Sequence, residues 1–215
     1  MKIEKPSYEI LYPLTPAEWT REFELIEYAG RTAYKSEEKI IRNSHIEFIQ
    51  KIVKMKHGAV LEFGNMVVKF ITDRGITHEI VRHRLCSFLQ VSTRYCNYAD
   101  DKFGHEITFI EPSIINLENG VSFQYWKNAC NTAELRYFEL IERGESPQIA
   151  RSVLPNSVKT EIVVKANFRE WMHIFNLRVL GTTGKPHPDM VRLMQPLYEY
   201  LKNLYPFICD LEKIK

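Results

Sequence analysis

The stretch 82–95 reads Arg-His-Arg-Leu-Cys-Ser-Phe-Leu-Gln-Val-Ser-Thr-Arg-Tyr and carries a dense set of anion-binding side chains. Arginine presents a planar fork of N–H donors that matches phosphate or carboxylate oxygens, and short hydroxyl side chains complete such a shell. The apolar spacers between these groups are Leu85, Phe88, Leu89 and Val91. We expect the spacers to pack on a core and to hold the polar groups in fixed directions. The stretch therefore predicts an ordered anion-binding segment rather than a solvated basic loop.

The residues just before this stretch predict a strand and a short helix that lead into it. Asn65–Thr72 is nearly continuous in apolar character, which is typical of a central strand. Residues 75–83 have apolar or imidazole side chains at i, i+4 and i+7, so a helix is predicted there. Helical spacing would place the carboxylate of Glu79 beside Arg82 and His83. We expect Glu79 to hold Arg82 in place or to accept hydrogen bonds from a ligand.

Hydrophobic periodicity and capping signals predict the other elements of the chain. Thr15 and Glu18 form a capping box, and Ser44 and Glu47 form a second one. Strands are predicted at 7–14, 107–110 and 160–166, and helices at 16–30, 44–57, 121–143, 146–155, 168–178 and 188–206. Strands and helices thus follow each other along the whole chain, with no internal repeat and no low-complexity segment.

Composition limits the class of protein. The chain has 215 residues and nothing that resembles a linker, so we predict a single domain over 1–215. A net charge of +2 does not favour a dedicated nucleic-acid binder. The four cysteines show no C-x-x-C spacing, and no apolar run approaches the ~18 residues of a membrane span. We expect a cytoplasmic protein that binds neither nucleic acid nor membrane.

Two further segments carry candidate functional side chains. In 146–155, Arg151 is flanked by apolar residues, and a buried arginine needs an anionic partner. The helix predicted from Phe168 has Phe168, Trp171, Met172 and Phe175 on an inward face. Its other face presents Arg169, His173 and Asn176 at i, i+4 and i+7.

These motifs resemble the signatures of one enzyme family. Arg-His-Arg, two residues, Ser87, four residues, Ser92, one residue and Arg94-Tyr95 resembles the signature of the flavin-dependent thymidylate synthases. Three shorter segments resemble the same family: His57-Gly58-Ala59-Val60-Leu61-Glu62, Ala150-Arg151-x-x-Leu154-Pro155, and Asn167-x-Arg169 with His173 and Leu177-Arg178. The resemblance implies an α+β fold with a mixed β-sheet flanked by helices. It also implies a homotetramer with active sites between subunits.

The resemblance further implies the reaction and the role of each residue. The family methylates dUMP to dTMP with 5,10-methylenetetrahydrofolate as the carbon donor and FAD and NADPH as the hydride source. Arg178 would be catalytic, because it would polarise N3–H of the uracil and so activate C5. The residues implied to bind dUMP are Glu79, Arg82, Gln90, Val91, Ser92, Thr93, Arg94, Arg151 and Arg178. Those implied to bind FAD are His57, Ala59, Arg82, His83, Arg84, Gln90, Asn167, Arg169 and His173, and Thr32 is a weaker candidate near the flavin. Ala59 stands where the family has a hydroxyl residue, and Leu89-Gln90 stands where many members have Asn-Glu.

Three other interpretations compete with this one. His78, His83 and Cys86 are metal-ligand types in one short stretch, but their spacing does not put them on one face, so no metal is predicted. Ser92 as a covalent nucleophile lacks a visible histidine and carboxylate pair. A nucleotide- or RNA-binding module would grip phosphates with Arg82, Arg84 and Arg94 and would stack bases on Tyr98 or Phe88.

Overall fold

The computed structural model describes residues 1–100, 104–113 and 120–209. Its strands are β1 (Lys2–Glu4), β2 (Ser7–Tyr12), β3 (Asn65–Asp73), β4 (Cys86–Gln90), β5 (Thr108–Ile110) and β6 (Lys159–Asn167). Its α-helices are α1 (Pro16–Ala33), α2 (Ser44–Lys54), α3 (Arg74–Ile80), α4 (Val121–Glu142), α5 (Pro147–Ala150), α6 (Phe168–Arg178), α7 (Pro188–Leu204) and α8 (Pro206–Cys209). Turns of 3-10 helix lie at Glu37–Lys39, Gly58–Phe63 and Arg151–Val153.

The strands form two sheets. A four-stranded sheet has the order β2-β3-β6-β4, and β1 pairs in parallel with β5. The interior position predicted for β3 is confirmed, although only alternate residues of β3 are buried. Alternation arises because successive side chains of a strand point to opposite faces. The predicted α+β class, with a mixed sheet and helices, is confirmed.

Two compact units emerge from the contacts within the chain. The first, which we call the N-unit, comprises residues 1–7, 70–82 and 89–162, and the second, the C-unit, comprises 8–69, 83–88 and 163–215. The core of the N-unit includes Phe109, Cys130 and Tyr137. The core of the C-unit is rich in aromatic residues, among them Trp19 and Phe168, whose rings stack at 5.9 Å. The single-domain organisation expected from chain length stays a prediction.

Two of the helix caps predicted from the sequence are present in the structure, and a third is not. The Thr15–Glu18 capping box begins α1, and the side chain of Asn167 caps α6 by accepting the Glu170 N–H at 2.9 Å. The capping box predicted at Ser44 is wrong, because the N-cap of α2 is Asn43 and makes no side-chain cap bond. Ser44 Oγ instead lies 2.7 Å from Glu27 Oε2, a buried carboxylate that takes this hydroxyl as a partner.

The segment around the first signature differs from its prediction in two ways. The helix α3 ends at Ile80, so His83 is not helical, and residues 86–90 form the edge strand β4. Leu85 and Leu89 are 70% and 80% exposed, so the expectation that they pack on a core is wrong. The physical reason is the period of a strand: in β4 Cys86, Phe88 and Gln90 are half-buried, which turns Ser87 and Leu89 to solvent.

Two more observations complete the comparison with the sequence. Arg151 is exposed, as are Ile149 and Val153 beside it, so the expectation that it lies on an inner face is wrong. The segment is too short and too close to the surface to bury its charge. Within the described residues, no helix combines the length and the apolar character that crossing a bilayer requires.

Candidate functional site

The N-unit holds the polar loop of the first signature in a defined turn. Ser92 accepts backbone N–H groups from Tyr95 and Cys96, and its Oγ accepts the N–H of Arg94 at 3.3 Å. The Arg94 side chain is exposed and donates from Nε to Gln148 Oε1 at 3.2 Å. Its guanidinium also lies over the Tyr95 ring, 5.2 Å from the centroid. Arg94 is therefore oriented before any ligand binds.

Arg151 lies beside the same loop. Its Nη1 donates to Thr93 Oγ1 at 3.1 Å, and Thr93 is buried. The structure thus brings together Ser92, Thr93, Arg94 and Arg151, as the resemblance implied. Gln148, which orients Arg94, was missed, because a lone glutamine near a proline gives no sequence signal.

Arg74 is a further cation of the N-unit that sequence analysis missed. From α3, its Nη1 donates to the Val91 carbonyl at 3.4 Å and to Thr160 Oγ1 at 3.5 Å, both neutral acceptors. Burial lowers the pKa of its guanidinium, Tyr98 raises it, and the charge of Arg151 lowers it further. Arg74 contacts the loop from its inner side. Arg74 lies between the strand predicted at 65–72 and the helix predicted from residue 75, and no motif singled it out.

The side-chain amide nitrogen of Gln90 and the backbone N–H of Val91 both donate to other residues of the N-unit. Gln90 donates from Nε2 to Thr77 Oγ1 at 3.0 Å and to Thr160 Oγ1 at 3.2 Å. The Val91 N–H donates to the Glu161 carbonyl at 2.9 Å, so it is not available to a ligand phosphate. Glu79 is half-buried on α3, and Arg82 is exposed just after it. Arg82 and Arg84 form no ion pair within the described ranges, which leaves two exposed cations in this stretch.

In the C-unit, a cavity of about 670 Å³ is lined by residues of two motifs, the one that begins at His57 and the one that contains Arg169. Its lining includes His57, Gly58, Ala59, Tyr34 and Arg169. The Arg169 guanidinium donates to Glu62 Oε1 at 2.5 Å, and it lies close to Gly58, where an added Cβ would be 3.2 Å from Nε. The absence of a side chain at Gly58 therefore leaves room for Arg169 in the wall of this cavity.

A second cavity of about 210 Å³ shares part of this lining. Lys56, Gly58 and Arg169 line both cavities, and the second adds His173 and Asn176. Asn176 Oδ1 is buried and has no hydrogen-bond partner within the described residues. A buried acceptor without a partner is costly, so a ligand donor at this point would be favourable. Two cations, apolar walls and an unsatisfied acceptor fit a flavin dinucleotide.

The first signature and the Asn167-to-Arg178 motif meet in the C-unit at His83. The Arg178 Nε–H donates to His83 Nε2 at 3.1 Å, although the two residues are 95 positions apart. Glu170 Oε1 lies 3.4 Å from His83 Nδ1, and the His173 ring lies edge-on to the His83 ring at 5.8 Å. Burial, Arg178 and His173 together lower the pKa of His83 to about 4. The imidazole is therefore neutral at pH 7, and its contact with Glu170 is not an ion pair.

His83, Glu170 and His173 also have the geometry of a small metal cluster. One ligand atom from each lies within 4.8 Å of the others. The contact with Arg178 argues against a metal, because an Nε2 that accepts a hydrogen bond leaves the single proton of the neutral ring on Nδ1. A metal at Nδ1 would require the opposite tautomer beside a guanidinium. We therefore interpret these residues as a polar cluster that is joined to Arg178 through His83.

Neither Cys86 nor Ser92 is activated as a nucleophile. Burial, and to a smaller extent Glu170, raises the pKa of Cys86 to about 12, so it stays a thiol at neutral pH. Ser92 Oγ is a hydrogen-bond acceptor for its own loop. The chemistry of the site thus consists of placing cations around an anionic or polarisable ligand.

Comparison with known proteins is consistent with this fold and with these motifs. The structure of the UMP/dUMP methylase PolB from Streptomyces cacaoi, bound with 5-Br dUMP, superposes with a TM-score of 0.78 at 18% identity, over 98% of this chain and 96% of that one. At that identity the likeness defines the fold. Residues 17–207 match the family described as thymidylate synthase complementing protein. The chain belongs to this family, whose relatives are named flavin-dependent thymidylate synthases.

Two relatives show the extent of the match. The flavin-dependent thymidylate synthase of Corynebacterium glutamicum is 30% identical over 89% of this chain and 80% of its own length. That of Pyrococcus furiosus is 33% identical over 168 residues, which are 78% of this chain and 66% of that protein. The chain therefore spans just under two thirds of the length of the archaeal relative.

Proposed function

We propose that the protein catalyses the reductive methylation of dUMP to dTMP, with 5,10-methylenetetrahydrofolate as the carbon donor and FAD and NADPH as the source of hydride. The observation that carries the proposal is the hydrogen bond between His83 and Arg178, which joins two signatures 95 residues apart. Family membership and the named relatives support the reaction class.

We assign nucleotide binding to the residues that the motifs implied. Arg94 and Arg151 neutralise the phosphate of dUMP, with Ser92 and Thr93 completing the shell. Both arginines are held by neutral partners, Gln148 and Thr93, so their charge remains for a ligand. Glu79 and Gln90 are assigned to the sugar and base, and Arg82 and Val91 complete the nucleotide assignment made from the motifs. Gln90 contributes its Oε1, because both contacts of its Nε2 are made inside the protein.

FAD is assigned to the two cavities of the C-unit and to the cations near them. His57, Ala59, Arg169 and His173 line these cavities, and Asn176 offers its unsatisfied Oδ1. His83, Arg84, Asn167, Arg82 and Gln90 complete the assignment made from the motifs. When bound, the flavin supplies the hydride that completes the methyl group.

Arg178 is proposed as the catalytic residue. The hydrogen bond from its Nε–H to His83 orients the guanidinium, and we assign the terminal amino groups to the pyrimidine. A fixed guanidinium beside the uracil stabilises negative charge as N3–H is polarised, and C5 becomes a better nucleophile. No cysteine is needed in this scheme, in agreement with the raised pKa of Cys86.

The proposal extends to assembly and location. We propose a cytoplasmic homotetramer with active sites between subunits. The high exposure of Leu85 and Leu89 in one chain supports burial by another copy.

The first experiment is an absorbance scan of the protein with FAD, followed by titration with dUMP. Flavin bands that stay with the protein and shift when dUMP is added are the expected result. Turnover is then measured as dTMP formed from dUMP, methylenetetrahydrofolate and NADPH, with each omitted in turn and with UMP as an alternative substrate. A protein that retains no flavin and forms no dTMP would contradict the proposal. A colourless protein that purifies with RNA would favour the nucleic-acid-binding interpretation.

A further inference from the structure

We propose that Glu170 is a positioning residue for Arg178 and acts through His83, because its carboxylate holds the imidazole in the tautomer whose Nε2 accepts the Arg178 Nε–H. The inference rests on the proposed catalytic role of Arg178 and assigns a function to a carboxylate that the motifs did not single out. Glu170 is not placed in contact with any substrate.

The first step of the argument is burial. Glu170 is 6% exposed and His83 is 5% exposed, and both belong to the C-unit. A carboxylate in such surroundings is costly unless polar partners compensate for lost water. The partners that face it are the ring of His83, His173 on the next turn of α6, and Arg169 beside it. An apolar residue would fill the same space at a lower cost in folding free energy, so we look for a function of this carboxylate.

The second step is the direction of the hydrogen bonds. A neutral imidazole has one N–H donor and one bare nitrogen. The Arg178 Nε–H can donate only to the bare nitrogen, so Nε2 is bare and Nδ1 carries the proton. The protonated Nδ1 lies 3.4 Å from Glu170 Oε1, which is longer than an ordinary hydrogen bond, and the carboxylate oxygen attracts this N–H electrostatically.

The third step is what happens without the carboxylate. If Nε2 carried the proton, it would face the Arg178 Nε–H, and the two donors would repel each other. Arg178 would then lose its hydrogen bond to the ring, and with it the orientation that this bond gives to the guanidinium. In metal sites, a hydrogen-bond partner of a ligating histidine fixes its tautomer in the same way. Loss of that partner costs about 10- to 100-fold in activity. Glu170 thus controls Arg178 through the state of one ring.

The test compares three variants. Glu170→Leu removes the acceptor and keeps an apolar side chain that suits a buried site, Glu170→Gln keeps an acceptor without the charge, and the exposed Glu24→Gln on α1 is the matched control. The first readout is solid-state ¹⁵N NMR of histidine-labelled protein, with His83 assigned by its absence in His83→Asn. We expect a bare Nε2 in the wild type and in Glu170→Gln and Glu24→Gln, and a protonated Nε2 in Glu170→Leu.

The second readout is turnover. We expect kcat of Glu170→Leu to fall by about tenfold or more with a smaller change in KM for dUMP, and Glu170→Gln to recover most of the loss. In an Arg178→Lys background, which has no Nε–H, the same substitution should have no further effect on kcat. Effects that simply multiply in the double variant would overturn the proposal.

Other outcomes are equally decisive. An unchanged tautomer in Glu170→Leu would overturn the proposal. Tight Zn²⁺ binding to the wild type that is abolished in Glu170→Leu would also overturn it, since such binding would identify a metal site. The NMR readout needs no turnover. A wild type that forms no dTMP would therefore defeat the proposed function and would leave the tautomer result as a separate test of Glu170.

Discussion

Arg74 has the contacts of a residue that positions the loop of the first signature, to which we assign the phosphate of dUMP. It donates to the Val91 carbonyl and to Thr160 Oγ1, two acceptors that bracket the entry to the loop. Both donor–acceptor distances are long, so each bond is weak, yet a half-buried guanidinium has fewer alternatives than one in solvent. Arg74 therefore adds positive charge from the inner side while it holds the backbone of Val91.

Replacing Arg74 tests this role. In Arg74→Lys the charge stays, but the ammonium lies one bond nearer to the backbone than Nη1, the nitrogen that makes both contacts. We expect the affinity for dUMP to fall roughly fivefold, about 1 kcal/mol, while FAD binding is unchanged. Isothermal titration with dUMP and then with FAD measures both. Equal losses for the two ligands would indicate a general folding defect rather than a loop effect.

His83 makes the stability of the protein depend on pH. Its pKa is about 4 in the folded chain and about 6.5 when exposed, so the unfolded chain binds more protons between these values. The stabilising contribution is thus complete above pH 6.5 and is lost as pH falls from 6.5 towards 4. The buried Glu170 has a raised pKa, mainly through burial, which acts in the opposite direction.

A comparison of variants isolates the contribution of His83. Between pH 7.5 and 5, we expect the wild type to lose about 2 kcal/mol more unfolding free energy than His83→Asn, in which this group does not titrate. Denaturant unfolding at both pH values measures the difference. If the two proteins lost the same unfolding free energy, His83 would have to be protonated in the folded chain at pH 5.

At the scale of elements, α6 links a helix cap to residues that we propose bind FAD and dUMP. Asn167 begins the helix by accepting the Glu170 N–H, and the same helix carries Arg169, His173 and Arg178. An N-cap of this kind is worth about 1 kcal/mol. If the cap is lost, the first turn of α6 frays and Arg169 loses its direction towards Gly58.

Asn167→Ala should therefore cost about 1 kcal/mol in stability and should also weaken FAD binding. Thr15→Ala is the matched control, because Thr15 caps α1 and is assigned to no ligand. It should lower the unfolding free energy similarly and leave the FAD affinity unchanged. Both quantities follow from thermal unfolding and fluorescence titration with FAD. A Thr15→Ala protein that also loses FAD would remove the specific role of α6.

The elements also show how far the sequence predicts this structure. Caps and 3.6-residue periodicity predicted α1, α6 and α7 well, because these signals depend on neighbours along the chain. The exposure of Leu89 was missed because β4 is an edge strand, and position in a sheet is a long-range property. Arg178 was predicted from its motif, but its contact with His83 and the burial of Glu170 depend on two segments far apart in sequence.

At the scale of the whole molecule, one exposed side chain bears on the proposed assembly. Leu89 is 80% exposed in an edge strand, a combination that soluble monomers usually avoid. A second copy that covered Leu89 would remove both its apolar surface and the open strand edge from water. We therefore expect Leu89 to be buried in the proposed homotetramer.

Leu89→Glu tests this expectation. A charge at a buried apolar contact would be uncompensated, so the assembly should dissociate to smaller species at micromolar concentration, whereas the wild type should sediment at about four times the 25.4 kDa chain mass. Leu14→Glu is the control, since Leu14 is 66% exposed in the loop before α1 and should leave the mass unchanged. Analytical ultracentrifugation measures all three proteins, and far-UV circular dichroism checks that each is folded. A wild type that sediments as a single chain would refute the tetramer directly. A Leu89→Glu protein that keeps the wild-type mass would instead place the subunit contacts away from β4.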